Sequence, residues 1–426
     1  MCSRSASLTY MGSLRRGITA AAGLLLFATA VPAGAAPHDG DRGLYEVRGT
    51  DSAVRTAIAQ SGVDVWGTQG DVLTFAADSA QAQALRGQGF ELEKVGDVDA
   101  LLAERNPDVR TAVDEFPAGD EGYHTYTELT EVLEQTVADH GDIASLSSVG
   151  DSYEGRALHL IKISDNVAQD EDEPEVLFTC NQHAREHLTT EMCLRIIERF
   201  TDEYGSDPTV TELVDTREIY VIPTVNPDGA EYDIEGGRYK GWRKNRQGSG
   251  TDLNRNWGYQ WGCCGGSSGS PSSETYRGPS AFSAPETTAV KSFVDSRVVG
   301  GVQQIKAHLD FHSYSELVLW PYGYTYDDSN ETMSPEEAKR FQEVGQALAA
   351  SNGYTPQQSS DLYITDGSIN DWMWAEHGIL SLTFEMYPAG GGGLNGFYPP
   401  DELIEPETKR NDEAVEILLT EAGNQG

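Results

Sequence analysis

An α/β domain whose central sheet is covered by helices on both faces, preceded by a small α+β unit, is the fold that this 426-residue sequence predicts. Three observations carry that reading. From Tyr123 onward, helical stretches alternate with apolar strand-like runs. The apolar character of those runs places cover on both faces of the sheet. A block of short elements at 43–95 stands apart, separated by Asp114–Gly122, where Pro117, Gly119 and Gly122 mark a boundary.

Before that block lies a targeting segment. Arg4, Arg15 and Arg16 precede the apolar stretch Ile18–Val31 and the small residues Ala33-Gly34-Ala35-Ala36, which is the pattern of a secretory signal peptide over 1–36. The apolar core is too short for a membrane span and no later stretch qualifies, so export without membrane anchoring is expected. Within 43–95, Leu44–Arg48, Val63–Trp66, Val72–Ala76 and Phe90–Val95 read as strands, and Ala53–Ala59 and Ser79–Gln88 as helices. That order fits a split-βαβ, ferredoxin-like module. Ala100–Val113 reads as a polar helical connector. In the main domain, 114–426, Thr127–His140, Glu191–Tyr204, Ala284–Ser296, Pro335–Ser351 and Glu407–Glu421 are helical. Ala157–Ser164, Val176–Phe178, Ile219–Ile222, Ala307–His312 and Leu380–Phe384 are strands, and Cys264–Ser273 is a long Gly-Ser loop.

A formal charge of −38, from 30 basic and 68 acidic residues, argues against nucleic acid or an anionic membrane as partner. It fits a solvated acidic surface, with Ca²⁺ as an additional cofactor at oxygen-rich clusters such as Asp170-Glu171-Asp172-Glu173. That run has no fixed ligand spacing, which favours a solvated loop. Loss of the signal removes Cys2 and leaves Cys180, Cys193, Cys263 and Cys264, an even number compatible with disulfides in an exported protein. A Cys180–Cys193 bridge would staple the turn between them. The adjacent Cys263 and Cys264 can bridge each other, stay reduced, or pair with the other two.

The segment Cys180–His187 carries the chemistry. His183 and Glu186, three residues apart at a strand end, can reach one Zn²⁺ and leave room for a third ligand and a water. Alternatively, His183-x-x-Glu186-His187 fits an inverzincin endopeptidase, with both histidines as ligands and Glu186 as base. Further along, His308 and His312 lie four apart on one strand and therefore on one face.

Six ordered motifs arbitrate: His183-Ala184-Arg185-Glu186, Asn226-Pro227-Asp228-Gly229, Trp242-Arg243-Lys244-Asn245-Arg246, Asp252-Leu253-Asn254-Arg255-Asn256, His312-Ser313-Tyr314 and Thr383-Phe384-Glu385. Together, from Tyr123 to the C-terminus, they resemble the zinc metallocarboxypeptidases of the carboxypeptidase A/B type, especially the secreted bacterial carboxypeptidase T-like group. The resemblance implies a mixed central sheet and one catalytic Zn²⁺ on His183, Glu186 and His312, with Asp252 holding the first histidine. It implies Glu385 as general base and Arg246 as the cation that meets the developing oxyanion, with Arg185 and Arg243 in outer subsites. Arg255 and Asn254 would hold the terminal carboxylate of a peptide, Tyr363 would close over it, and Ser313 and Tyr314 would line the neighbouring subsite. Ser368 and Asn370 fall at the base of the specificity pocket, where their neutrality points to hydrophobic or broad preference. The resemblance also makes 37–113 an activation propeptide released by a protease, with Arg105 and Arg110 as possible cleavage points. A monomeric, secreted carboxypeptidase made as a zymogen is thus expected. The alternatives are a zinc exopeptidase acting on cell-wall peptides and a catalytically silent carboxypeptidase-like binding domain.

Overall fold

The computed structural model describes residues 42–106 and 115–424. The signal peptide expected over 1–36 and the connector residues 107–114, with Arg110, lie outside that range. The first element group is a four-stranded antiparallel sheet of β1 (Gly43–Val47), β2 (Asp64–Gln69), β3 (Val72–Ala77) and β4 (Glu93–Asp97), in the order β2-β3-β1-β4. Helices Ser52–Ala59 and Ser79–Gly87 connect them in the expected βαββαβ sequence. Each begins on an aspartate, Asp51 or Asp78, whose carboxylate accepts a first-turn N–H; Gln81 completes a capping box on the second. Their apolar face is a separate small core around Ile58, Leu73, Phe75 and Leu85.

The main sheet has eight strands: β5 (Ala144–Asp151), β6 (Ala157–Ile163), β7 (Glu175–Cys180), β8 (Glu218–Ile222), β11 (Ile305–Ser313), β12 (Leu317–Trp320), β13 (Thr355–Gln358) and β14 (Leu380–Met386). A two-stranded hairpin, β9 (Val298–Val299) with β10 (Val302–Gln303), stands outside it. The order is β13-β12-β14-β11-β7-β8-β6-β5. β14, β11, β7 and β8 run parallel in the centre, while β12, β6 and β5 introduce antiparallel pairs, so the sheet is mixed. Every residue of β7 and β8 is buried, as expected of strands covered on both sides. Two apolar clusters form that cover. One packs Leu188, Met192, Ile196 and Phe200 of helix His187–Asp202 with Leu418 and Leu419 against the sheet. The other gathers Leu177, Ile222, Trp257, Val290 and Trp372 on the opposite side.

Several elements were not read from the sequence. The Ser- and Gly-bearing edge strand β5 and the short β13, Thr-Pro-Gln-Gln, have little apolar signal. The C-terminal helix is two helices, Ile404–Lys409 and Asp412–Gly423, because the chain turns at Arg410–Asn411, where buried Asn411 bonds Asn352 and the Glu407 carbonyl. Helix 187–202 starts four residues earlier than the expected Glu191, immediately after Glu186. Among the described residues no helix is long and apolar enough to cross a membrane.

Cys180 and Cys193 form a disulfide, and so do Cys263 and Cys264. The first ties the end of β7 to the helix behind it across 13 residues that include His183 and Glu186. Closing a loop of this length restricts the unfolded chain. Replacing both Cys180 and Cys193 by serine is expected to lower the unfolding free energy by about 2–4 kcal/mol in a denaturant titration; an unchanged midpoint would contradict it.

Candidate active site

Three strand ends and one turn bring the motif residues together. β7 ends at Cys180, and Asn181 takes a left-handed conformation, φ 57°, that turns the chain out of the sheet. The Asn181 amide donates to the carbonyls of His183, Ala184 and Glu186, shaping the turn from inside. On the adjacent strands, β11 and β14 pair in parallel with His312 directly beside Glu385.

His183, Glu186 and His312 converge within a buried cluster. Nδ1 of His183 lies 2.9 Å from Glu186 Oε1, Nδ1 of His312 lies 2.9 Å from Glu186 Oε2, and the two Nδ1 atoms are 3.0 Å apart. The far nitrogens are engaged by carboxylates: His183 Nε2 with Asp252 Oδ1 at 3.1 Å, and His312 Nε2 with Asp310 Oδ2 at 2.7 Å. Those outer bonds fix N–H on Nε2, leaving the inward Nδ1 lone pairs and the Glu186 carboxylate facing one point. Two imidazoles and a carboxylate are the donor set of a catalytic zinc site, and this group fits one. The local field also asks for a cation. Burial alone would lower the His312 pKa, yet Asp310 and Glu186 raise it well above the ordinary value. Burial alone would raise Glu186, yet His183 and His312 hold it far below the usual carboxylate range.

The competing histidines are used elsewhere. His187 turns away and bonds Asp233 at 3.0 Å, so the inverzincin spacing does not form a cluster. His308 sits between the Thr179 and Ser381 hydroxyls, and burial lowers its pKa to about 4.

Asp252 organises the next layer. Its Oδ2 accepts from Nε and Nη2 of Arg243 at 3.2 and 3.0 Å, and its Oδ1 accepts the Asn254 N–H at 3.1 Å. Burial would raise its pKa, but Arg243, His183 and Arg255 hold it well below the usual carboxylate range. The turn Leu253–Arg255 that begins there presents Asn254 and Arg255. The Asn254 amide lies 3.2 Å from His312 Nε2 and its Oδ1 accepts the Ile369 N–H. Arg255 is buried, yet its recorded acceptors are the carbonyls of Gly266 and Asn254. Among the described residues no carboxylate forms an ion pair with it.

These residues border a cavity that also takes in Arg243, Ser313, Tyr314, Tyr363, Ser368 and Asn370. The Ser313 hydroxyl and Tyr314 phenol are buried without a partner among the described residues. Tyr363 follows the short helix Ser359–Leu362. Ser368 caps helix Ile369–His377, and the Asn370 side-chain oxygen accepts from Thr383 while its NH₂ has no partner among the described residues. Glu385 lines the cavity with partial exposure and has no hydrogen bond among the described residues. Burial pushes its carboxyl up to about 8, Glu186 adding to the rise while His312 and Arg243 oppose it.

Arg246 and Arg243 are not where the sequence reading put them. Arg246 is outside the cavity, stacked 3.5 Å over the Tyr232 ring and 4.9 Å from Trp242, with Glu154 3.9 Å away. The cation beside the metal-ligating group is Arg243. The cause is Asp252, which captures the first arginine of an irregular stretch and leaves the last at the surface. Arg185 is fully covered, paired through both Nη atoms with the two oxygens of Asp64 on β2 at 2.8 and 2.9 Å. Sequence reasoning missed Asp64, and also Asp310, although the latter lies two residues before His312 on one face of β11. Two further acidic groups exist, Asp165/Glu171/Glu173 and Asp170/Glu175/Glu218. The second is already compensated by Arg297 and Lys162, and an acidic group by itself is no evidence for Ca²⁺.

Comparisons with known proteins identify the family. The sequence model of the family described as "Zinc carboxypeptidase" matches residues 129–414. A "Zinc carboxypeptidase" of Saccharothrix mutabilis subsp. capreolus is 52% identical over 388 residues, covering 89% of each chain. Carboxypeptidase A1 of Rattus norvegicus is 34% identical over 293 residues, covering 67% of this chain and 66% of its own. Among solved structures, the carboxypeptidase A of Helicoverpa armigera superposes with a TM-score of 0.73 at 22% identity, over 92% of this chain and all of that one, which supports the fold. The chain belongs to the zinc carboxypeptidase family and is a zinc-dependent peptide hydrolase.

Proposed function

We propose that this protein is a secreted carboxypeptidase, held as a zymogen by residues 37–113, that removes single C-terminal residues with neutral side chains. The observation that carries this reading is Arg255, a buried guanidinium whose acceptors among the described residues are carbonyls, in one cavity with His183, Glu186 and Glu385. A buried cation without an anion is costly, so the site is built to receive one. A carboxylate at the end of a peptide supplies it, with Asn254 beside Arg255 and Tyr363 on the rim. Internal peptide bonds offer no such group.

The chemistry follows from position. His183, Glu186 and His312 would hold Zn²⁺, which polarises a carbonyl oxygen and makes water a nucleophile at neutral pH. The Glu385 carboxyl has no hydrogen bond among the described residues and lies next to His312; its ionised form, which a bound Zn²⁺ would favour, takes the proton of the attacking water and returns it to the leaving amine. Arg243 meets the negative charge that develops on the scissile carbonyl oxygen; its partner Asp252 keeps it aimed. Ser313 and Tyr314 line the neighbouring subsite. Among the described residues the acids bordering the cavity are Glu186 and Glu385, which leaves no further acid there to pair with a basic side chain. Asp371, the acid next to Asn370, points elsewhere and accepts the N–H groups of Gly323 and Tyr324. That supports hydrophobic or broad neutral preference at Ser368 and Asn370.

The N-terminal module lies over this cavity. Val65, Trp66 and Gly67 of β2 border it, and the Thr68 N–H donates to Ser315. A Cβ on Gly67 would come within 2.9 Å of Ser315 Oγ and Tyr314, so the approach is close. The Trp66 indole N–H braces Asp64, whose ion pair occupies Arg185. Arg105 is pinned to Asp120 and to the Tyr398 carbonyl, which leaves 107–114 as the better protease target.

Three measurements test these points. Product analysis on a peptide library is expected to show release of single C-terminal residues from free acids and not from amidated peptides, with activity lost to a chelator and restored by Zn²⁺. Internal cleavage would contradict the exopeptidase reading. Arg243→Ala should lower kcat about 10²–10³-fold, whereas Arg246→Ala should change it less than about threefold; the reverse order would return the role to Arg246. Finally, the full chain should gain activity on limited proteolysis within 107–114. Asp64→Ala, which leaves Arg185 unpaired under the module, should raise activity before cleavage; equal activity of intact and cleaved chains would exclude a zymogen.

A further inference from the structure

Arg255 owes its setting to a loop, and one carboxylate organises that loop. Residues 258–273 carry no regular element beyond a single bridge between Ser268 and Tyr276. Asp366 lies fully buried against them. Its oxygens accept the N–H groups of Gly262 at 3.3 Å, Cys264 at 3.2 Å and Gly266 at 2.9 Å, and the Ser267 hydroxyl. Four donors from a six-residue stretch thus meet one side chain, and among the described residues no basic side chain pairs with it. An acid that served only charge balance would face a cation, and one that capped a turn would take one or two N–H groups.

The consequence lies on the other side of the loop. The Gly266 carbonyl accepts Arg255 Nε at 3.1 Å. Gly266 is pressed against the chain next to Asp366, where a Cβ would stand 2.4 Å from the Thr365 Cα. The same segment braces the Arg255 backbone: a Cβ on Gly367 would stand 2.6 Å from the Arg255 carbonyl oxygen, and the Ile369 N–H bonds Asn254. With Nε held by Gly266 and Nη1 by Asn254, the remaining guanidinium hydrogens have one orientation toward the cavity.

We infer that Asp366 is a positioning residue for substrate recognition: by gathering the donors of residues 262–267 it fixes the Gly266 carbonyl, and through it the angle at which Arg255 meets the terminal carboxylate. This rests on the reading of Arg255 given above. Asp366 touches neither substrate nor metal, so its loss weakens recognition of the carboxylate rather than the chemical step. Hydrogen bonds to charged groups set the scale of the effect at about tenfold or more.

The test uses the full chain activated by limited proteolysis, with a blocked dipeptide ending in phenylalanine as substrate and 3-phenylpropionate against its amide as inhibitors. Asp366→Asn and Asp366→Ala are expected to raise KM and the inhibition constant of the carboxylate about tenfold, with kcat within about threefold, zinc content unchanged and the amide's inhibition constant unmoved. Arg255→Ala should raise the same constants, and adding Asp366→Ala to it should raise them little further, because both act on one contact. Ser267→Ala, which removes a single donor and leaves the fold least disturbed, should give the same split at smaller size, and it serves if Asp366→Ala does not fold. If Arg255→Ala raises KM while Asp366→Asn and Ser267→Ala leave it unchanged, or if the Asp366 and Arg255 effects add in full, the inference is overturned. A loss of kcat and zinc together with KM also overturns it, since that marks a general structural role. If Arg255→Ala itself leaves KM unchanged, the exopeptidase reading falls first, and this inference with it.

Discussion

The buried carboxylate of Asp252 is the constraint on which the rest of the site depends. Its two oxygens engage His183, Arg243 and the N–H of Asn254, groups that come from three separate stretches of chain. A carboxylate without water must find donors or be neutralised. The fold supplies them, and each donor is thereby aimed. Holding Nε2 of His183 leaves Nδ1 for the metal-ligating cluster. Holding Arg243 sets a cation beside the cavity, and capping the Leu253–Arg255 turn presents Asn254 and Arg255. Removing Asp252 would therefore release His183, Arg243 and the turn that carries Asn254 and Arg255 together.

The same logic recurs with Asp310 behind His312 and Asp366 behind the Gly266 carbonyl. In a chain of formal charge −38, the acids that matter most to the site are the buried ones that touch no substrate. Burial is what makes them effective, because a partner held in low dielectric is held firmly. The arginines show the converse. Arg243 and Arg255 are buried and directed inward, while Arg246 shares their sequence neighbourhood but stacks on aromatic rings at the surface.

How much of this was legible follows from what each feature leaves in the sequence. The central strands β7, β8, β11 and β14 are buried on both faces and therefore apolar throughout, so they read clearly. β5 and β13 lie at the sheet edges and read poorly. His183 and Glu186 share a turn and were visible as a local spacing; His312 and Glu385 needed the family motifs, since no rule of spacing joins two strands that pair only after folding. The choice between Arg243 and Arg246 was not legible. It depends on which side chain Asp252 reaches, a contact made across an irregular segment. Asp64 was least legible of all, because its meaning arises only where β2 meets Arg185.

That last contact bears on how a cover can silence a site without dismantling it. Several bonds of the N-terminal module fall on loops around the cavity. Asp64 takes Arg185, Thr56 Oγ1 accepts the Ile364 N–H, Arg55 reaches the Asp361 carbonyl, and Gln60 reaches the Cys264 carbonyl. None of them involves His183, Glu186 or His312, whose mutual distances belong to the main domain alone. The module therefore rests on both loops that flank Arg255 and Tyr363 and leaves the metal-ligating set assembled beneath it. Arg185 under the cover depends on Asp64, because a lone buried guanidinium would be strongly unfavourable. If the cover departs as proposed, water would reach Arg185 and solvate it, so the pair could be lost without leaving a stranded charge. On the proposed zymogen reading, activation would need no rearrangement of these ligands, only the loss of an interface.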